Sequence, residues 1–445
     1  MRILFRGGTV VSGNGTRKAD LVTDGEKVRF VGSRYRGTFD RAVSVNGCLL
    51  FPGFVDAHTG FDSEQGGATS ADNFYTGSKA ALRGGTTTVL NDAVPDPDES
   101  PRGTLSRWHD KADGQTFCDY GFHMGLYAWN QSVRAEAAAL FRDGISSFLL
   151  STGSPGDREF FEALRDLYAR GGLCAAECGS RDVAEALGAE GNLSPAAWPV
   201  ALEAEGVARA LRLAQMARVP VIIRSLSSGE ALSEVLRARR RGQSVYAETC
   251  PHYLTLDESL YFQDDTAAAL YVCEPPLRER VHQQALWRAL RKGDIQLVSS
   301  GHRAFTPVQK RSGHNDFIRI PSGLPGAEER GELLYSRGVA EHRFGLTELC
   351  RVLCENPAKL YGLWPRKGGL FPGADADIVV YDPGDSHLIL SRDRASAAGY
   401  TPYEGFRTAG GIRQVWLRGT LSVDRGRVLP VTPHGLYLRR GKSAL

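Results

Sequence analysis

The sequence lacks long apolar runs, a surplus of either charge, and closely paired cysteines. No segment reaches the about 18 consecutive apolar residues of a membrane-spanning helix, and the N-terminus has no apolar core of a secretory signal. The 54 basic and 51 acidic residues give a net charge of +3, which gives no reason to expect nucleic acid or a membrane as partner. The eight cysteines form no Cys-x-x-Cys pair, so we expect reduced thiols and a cytoplasmic protein.

The chain has β-rich ends and an alternating middle. Short strand-like segments separated by Gly-Asn, Asp-Gly and Asn-Gly turns fill residues 1–50, and similar segments return at 375–383 and 412–429. Between them, β-like runs alternate with helical patterns over about 300 residues, which is typical of a parallel α/β fold. We therefore predict a (β/α)8 TIM barrel at 51–370, a small β-sandwich from 1–50 plus 371–430, and a C-terminal tail at 431–445.

An ordered series of motifs carries a family resemblance. The motifs are FPGFVDAHTGFD (51–62), GGTTT (84–88), YAETCPHYL (246–254), CEPPLR (273–278), SGLPGAEER (322–330) and GYTPYEG (399–405). Their order and spacing resemble the cyclic amidohydrolases, in particular the D-hydantoinase and dihydropyrimidinase branch. The resemblance implies an enzyme that opens a cyclic amide with a metal-activated hydroxide, usually assembled as a homotetramer; we expect a homodimer or a homotetramer.

The metal ligands that the resemblance implies are mostly replaced. The family holds two cations with a His-x-His motif, a carboxylated lysine, two further histidines and an aspartate, whereas the first motif here reads His58, Thr59, Gly60. No lysine occurs between Lys111 and Lys292, and no histidine between His123 and His252, so no shift of register restores those ligands. The other ligand positions hold Thr152 or a gap, Ala175, Ser225 and Gly301. A single imidazole cannot hold a zinc ion, so the sequence predicts neither a metal nor another cofactor.

Polar residues at the predicted strand ends are the candidate site residues, because the carboxyl ends of the strands build the active site of this fold. The candidates for catalysis are His58, His302, Glu177 and Cys178, and those for substrate binding are Asp62, Arg224, Ser225, Glu248, His252 and Arg303. We expect Arg224 either to neutralise carboxylates such as Glu177 and Asp62, or to bind an anionic ligand. For His58, Glu248 and His252 the alternative is a purely structural role.

Three functions remain open at this point. The first expectation is a metal-free homologue that keeps a polar pocket and acts as a pseudoenzyme or as an assembly or binding protein. The second is a metal-independent enzyme that acts on a small cyclic or amide-containing metabolite bound at the strand ends. The third is a cyclic amidohydrolase with a rebuilt metal site. The excess of arginine over lysine indicates a bacterial source.

Overall fold

Two large sheets and one small hairpin contain the strands. The computed structural model describes residues 1–65, 67–188, 195–313, 316–430 and 432–445. Its strands are β1 (Arg2–Ser12), β2 (Gly15–Asp24), β3 (Lys27–Gly32), β4 (Arg41–Ser44), β5 (Leu49–Pro52), β6 (Phe54–Thr59), β7 (Glu64–Gln65), β8 (Ala68–Thr69), β9 (Thr86–Ala93), β10 (Asp119–Gly125), β11 (Ser147–Ser151), β12 (Leu173–Glu177), β13 (Val221–Ile223), β14 (Val245–Thr249), β15 (Leu297–Val298), β16 (Ile378–Asp382), β17 (Gly411–Leu417), β18 (Thr420–Asp424) and β19 (Arg427–Val428).

Helices follow most of the central strands. They are α1 (Phe74–Arg83), α2 (Pro101–Ala112), α3 (Gln131–Arg142), α4 (Asp157–Ala169), α5 (Arg181–Leu187), α6 (Val200–Ala217), α7 (Gly229–Arg240), α8 (Pro251–Thr255), α9 (Asp265–Ala269), α10 (Arg280–Lys292), α11 (Pro307–Arg311), α12 (Arg330–Leu334), α13 (Leu346–Cys350) and α14 (Asn356–Leu360). The π-helical turns Tyr335–Ala340 and Arg351–Glu355 continue α12 and α13. Short 3-10 turns occupy Pro195–Ala197, Glu258–Phe262 and Ser391–Asp393. None of the helices in the described part of the chain is long and apolar enough to cross a bilayer.

The central strands form a parallel barrel. Their order is β6, β9, β10, β11, β12, β13, β14 and β15, and each neighbouring pair is parallel. The barrel closes between its first and last strands, where Gly60 N donates to His302 O at 2.7 Å and Gly301 N donates to His58 O at 3.1 Å. Strands β9 and β10 are buried along their whole length, as expected for a parallel sheet covered by helices. The predicted (β/α)8 barrel is confirmed.

The two ends of the chain meet in one mixed sheet. Strand β16, from the C-terminal region, pairs antiparallel with β5. It lies between the N-terminal strands on one side and β17, β18 and β19 on the other. The ring centroids of Phe5 and Trp416 lie 5.1 Å apart in its core. This sheet confirms the β-rich unit built from both ends. The described residues of the predicted tail, 432–445, pack under the barrel, where Arg440 Nη1 donates to Ser147 Oγ at 2.7 Å; residue 431 lies outside the described residues.

A buried lysine joins the mixed sheet to the barrel. Lys367 Nζ lies 2.6 Å from both Asp119 Oδ2 of β10 and Asp377 Oδ2 just before β16, and 3.0 Å from Asp375 Oδ2. The three aspartates lie close enough to form a metal-binding group, but the Lys367 ammonium already provides their shared positive charge. Burial raises the pKa of Asp375, yet Lys367 and neighbouring cations outweigh it and hold the value at about 2.

This cluster makes part of the stability pH-dependent. The folded pKa of Asp375, about 2, lies below the unfolded value of about 3.9, so its contribution is present above the unfolded pKa and is lost as the pH falls through the folded one. We expect Asp375→Asn to lower the free energy of unfolding by about 1–2 kcal/mol at neutral pH, and this difference from the wild type to shrink towards about pH 3. Urea unfolding at several pH values measures it, with the exposed Asp110→Asn as control. A difference independent of pH would contradict the assignment.

Candidate active site

Five charged side chains converge at the carboxyl end of the barrel. His58 and Asp92 are the second-last residues of β6 and β9, Glu177 ends β12, Arg224 directly follows β13, and Glu248 lies in β14. Because the strands are parallel, their carboxyl ends share one side of the barrel and bring these side chains together from five strands. Only Glu177, with 45% of its side chain exposed, reaches solvent to a large extent. The other four side chains are mostly or completely buried.

Glu248 fixes the orientation of the His58 imidazole. His58 Nδ1 lies 2.9 Å from Glu248 Oε1, and the other carboxylate oxygen of Glu248 accepts from Ser299 Oγ at 3.0 Å. Burial raises the pKa of Glu248, but the hydrogen bond from His58, the charge of Arg224 and Ser299 together hold it below its usual value. Glu248 can accept a hydrogen bond from Nδ1, and in the neutral ring this leaves the lone pair of His58 Nε2, 3.8 Å from Asp92 Oδ2, available to a ligand. A carboxylate behind a histidine in this way is typical of metal-binding histidines.

Arg224 links the three carboxylates of the site. Its Nη2 lies 3.1 and 3.3 Å from the two oxygens of Asp92, and its Nη1 lies 3.4 Å from Glu177 Oε1. Its Nε lies 3.8 Å from Glu248 Oε1. Burial lowers the pKa of Arg224, but the nearby carboxylates raise it by more than burial lowers it, so the guanidinium stays charged. Burial raises the pKa of Asp92, and Arg224 and His58 oppose that shift. Arg224 therefore stabilises negative charge that would otherwise be buried without compensation.

Three more predicted residues lie beside this group. Ser225 follows Arg224 with a φ of 54°, a left-handed conformation that is uncommon outside glycine and often found at functional sites. His252 is buried, and burial together with the nearby His58 lowers its pKa to about 3, so it is neutral at neutral pH. Arg303 lies next to Gly60, where an added Cβ would come within 3.1 Å of Arg303 Nε.

The structure places the remaining predicted residues in other contacts. His302 Nε2 lies 3.1 Å from Asp72 Oδ2, and its Nδ1 accepts from the backbone of Gly326 at 3.2 Å. Asp62 Oδ2 accepts from Phe74 N at 2.8 Å, at the start of α1. The buried Cys178 thiol lies 3.8 Å from Ala176 O, and burial raises its pKa well above the usual range. Arg224 thus pairs with Glu177 as expected, but with Asp92 instead of Asp62.

Two residues of the site were not among those predicted from the sequence. Asp92 ends the β-branched run of GGTTTVLND, so its position at a strand end was the available signal. Glu274 lies in the CEPPLR motif, and its Oε2 lies 3.5 Å from Arg181 Nη1. Arg181 begins α5, which follows the carboxyl end of β12, so Glu274 lies at the same end of the barrel. Burial raises the pKa of Glu274, Arg181 and Arg303 oppose this shift, and Glu177 adds to it. No pattern in the sequence pairs Glu274 with the barrel mouth.

Two groups of potential metal ligands share His58. In the group of His58, Glu248 and Cys250, both Glu248 oxygens are already hydrogen bonded and burial raises the pKa of the Cys250 thiol well above its usual value. The group of His58, Asp92 and Glu177 offers one nitrogen and two carboxylates, of which Glu177 is open to solvent and Asp92 is buried. Three such donors fit one catalytic cation of the zinc type with an open coordination position. Arg224 contacts both carboxylates, so it competes with the cation for their charge.

The donors that converge at the barrel mouth fit one cation better than two. Gly60, Ala175 and Gly301 carry no donor side chain. A Cβ at Gly301 would lie 2.9 Å from Cys250 Sγ and 3.2 Å from His252 Cε1, so the backbone passes too close to these side chains for a larger residue to fit without movement. Within the described residues, the ligand groups at this end of the barrel all depend on His58.

Comparisons with known proteins agree with the fold. A family described as the Amidohydrolase family matches residues 49–422. The D-hydantoinase of Streptomyces coelicolor is 38% identical over 458 aligned residues, which cover 99% of this chain and 98% of that protein. The D-hydantoinase of Geobacillus stearothermophilus is 32% identical and covers 99% and 97%. The crystal structure of the dihydropyrimidinase from Brevibacillus agri has a TM-score of 0.97 at 34% identity, with full coverage of both chains.

The first functional expectation is therefore wrong. Full-length similarity to hydantoinases and the potential ligands around His58 contradict a metal-free pseudoenzyme or assembly protein, and likewise a metal-independent enzyme. The expectation failed because it compared only the positions of the family's ligands and overlooked Asp92, a donor on the neighbouring strand. From the family match over most of its length and from its full-length relatives, the chain belongs to the amidohydrolase family, on its hydantoinase branch.

Proposed function

We propose that this protein hydrolyses a cyclic amide of the hydantoin or dihydropyrimidine class at the carboxyl ends of its barrel strands. The single observation that carries the proposal is His58, oriented by Glu248 through Nδ1 and presenting Nε2 towards Asp92 and the barrel mouth. Full-length similarity to D-hydantoinases and to a dihydropyrimidinase supports the substrate class. The proposal includes one divalent cation for each chain.

The cation would be held by His58, Asp92 and Glu177. When bound, it would acidify a water molecule and polarise the amide carbonyl of the substrate. The chain itself supplies the orientation: Glu248 holds the imidazole, and Arg224 holds the Asp92 carboxylate in one position. Because Arg224 adds a positive charge next to two of the ligands, we expect the cation to bind more weakly than it would without that arginine.

Glu274 is suited to carry a proton to the leaving ring nitrogen. Its side chain is partly exposed, at 19%, and burial raises the pKa of its carboxyl group. A carboxyl group whose pKa is raised keeps its proton closer to neutral pH and acts more readily as a general acid. Gly301 has no side chain that could carry a proton, so this role falls to a residue from another loop of the barrel mouth.

The test is ring opening by the purified protein. Hydantoin and dihydrouracil are incubated with protein that has been stripped with a chelator and then reloaded with zinc or manganese, and the ring-opened product is measured by liquid chromatography. We expect product above the blank only in the reloaded samples, together with near one bound metal per chain by elemental analysis. Protein of the His58→Asn variant, purified from the same host, serves as the blank for contaminating hydrolases. Absence of product with every cation would overturn the proposal.

A homodimer or homotetramer and a cytoplasmic location are part of the proposal. Full-length similarity to the hydantoinase branch supports the assembly. All eight cysteines are free and buried, and unpaired thiols are typical of proteins in a reducing compartment.

A further inference from the structure

The side chain of Arg303 lies beside Gly60 at the carboxyl end of the barrel. Arg303 follows His302 at the closure of the barrel. A Cβ built at Gly60 would come within 3.1 Å of Arg303 Nε and 3.4 Å of Arg303 Cβ. Arg303 therefore fills the volume that a side chain at position 60 would otherwise take, two residues after His58.

The backbone of Arg303 is fixed by close packing. Its N–H donates to Leu324 O at 3.1 Å. Gly323 has a φ of +141°, and a Cβ there would lie only 2.3 Å from Arg303 O, so this close approach requires a glycine. A side chain on such a fixed backbone can hold a ligand in a defined position.

The guanidinium of Arg303 has no partner among the described side chains. Its Nε is buried without a hydrogen-bond partner, and within the described part of the chain Arg303 forms no ion pair. Arg224 differs, because it contacts three carboxylates. A buried N–H without an acceptor costs free energy, which a bound acceptor would recover. Arg303 is thus charged, positioned and free to bind.

The charge of Arg303 acts on groups from several sides of the barrel mouth. Burial raises the pKa of Asp92, Glu274 and Tyr127, and in each case Arg303 opposes the shift. These three groups lie in β9, in the CEPPLR motif and after β10. Since Gly60 directly follows β6 and bonds to His302 at the closure of the barrel, the Arg303 side chain beside it lies at the barrel mouth, on the side of His58.

We propose that Arg303 binds a carboxylate carried by the substrate, so that the preferred substrates are cyclic amides with an anionic substituent. A guanidinium binds a carboxylate through two parallel hydrogen bonds, which gives both affinity and orientation. The proposal rests on the proposed function for the identity of the ring, but the binding of the carboxylate can be measured without turnover.

The test compares a hydantoin that carries a side-chain carboxylate with its uncharged methyl ester. For the wild type we expect a higher kcat/KM with the carboxylate. Arg303→Met is expected to lower that value by about 10- to 100-fold, mainly through KM, and to change the value for the ester by less than about 3-fold. Arg303→Lys should retain part of the effect, since it keeps the charge but not the paired hydrogen bonds. Arg319→Met, at an arginine with 77% side-chain exposure, is the matched control.

Calorimetric binding of the same carboxylate separates this proposal from the proposed function. Suppose that the wild type binds the carboxylate but hydrolyses neither the carboxylate nor its ester, and that Arg303→Met loses the binding. The inference about Arg303 then stands and the hydrolase proposal fails. If Arg303→Met hydrolyses the carboxylate and the ester as well as the wild type does, the hydrolase proposal stands and the inference is overturned. Equal binding of the carboxylate by both proteins would also overturn it.

Discussion

Replacing His58 by asparagine is expected to lower kcat/KM for ring opening by at least about 100-fold. Loss of a residue that only supports a metal ligand lowers activity by up to about 100-fold, and loss of the ligand itself should cost at least as much. Asparagine can still donate a hydrogen bond to Glu248, whose Oε1 lies 2.9 Å from His58 Nδ1, but it has no lone-pair nitrogen in place of Nε2. The variant should therefore stay folded while it loses the bound cation. Steady-state kinetics and elemental analysis of the same preparation measure both effects.

The matched control is His109→Asn on α2. His109 is a partly exposed histidine, and its Nδ1 lies 2.9 Å from Asp113 Oδ1, away from the barrel mouth. We expect the kcat/KM of the His109→Asn variant to stay within about 2-fold of the wild-type value, since surface substitutions change free energies by about 0.5 kcal/mol or less. A His58→Asn protein with wild-type activity and metal content would disprove the assignment of His58.

The second large effect concerns stability and arises from Arg224. Arg224→Met removes the charge next to Asp92 and Glu248, whose side chains are 2% and 0% exposed. Loss of one partner of a buried ion pair leaves an uncompensated charge, so we expect the free energy of unfolding to fall by about 3–5 kcal/mol at neutral pH. The measurement is urea unfolding in the presence of a chelator, so that no cation replaces the guanidinium.

The pH dependence and two further variants sharpen this experiment. The loss in Arg224→Met should shrink as the pH is lowered, because protonation of Asp92 and Glu248 removes the uncompensated charge. Arg224→Lys should recover part of the stability, since one ammonium cannot contact all three carboxylates as a guanidinium does. Arg240→Met, at an exposed arginine in the last turn of α7, should change stability by about 0.5 kcal/mol or less. Wild-type stability of Arg224→Met would contradict this role.

Much of the fold could be predicted from the sequence because its signals are local and repeated. Alternating strands and helices predict a parallel barrel whatever the exact ends of each element, and turn-rich strands at both ends predict a shared sheet. The ion-paired Lys367 could not be predicted, because it joins Asp119 and Asp377, which lie far from each other in sequence. Contacts of that kind depend on how the mixed sheet is placed against the barrel.

The candidate site could be predicted in part, for a similar reason. Because the ends of barrel strands form the site, the sequence predicted His58, Glu177, Arg224 and Glu248 as site residues, and these four lie together in the structure. The partner of Arg224 could not be derived, because Asp62 lies beyond its strand in a left-handed turn with a φ of 55° and accepts a hydrogen bond from the first residue of α1 instead. The direction of a side chain after a strand end depends on the backbone of the following loop.

Closure of the barrel between β6 and β15 has a consequence for folding. The hydrogen bonds that join His58 and Gly60 to Gly301 and His302 connect residues about 240 positions apart, and β16 must reach β5 from still further along the chain. On the ribosome, β6 can pair with β9 early, but most of the polypeptide is made before its other neighbour, β15, is available. Until then the edge of β6 stays open for wrong pairing, so synthesis of this protein depends on protection of an unfinished sheet.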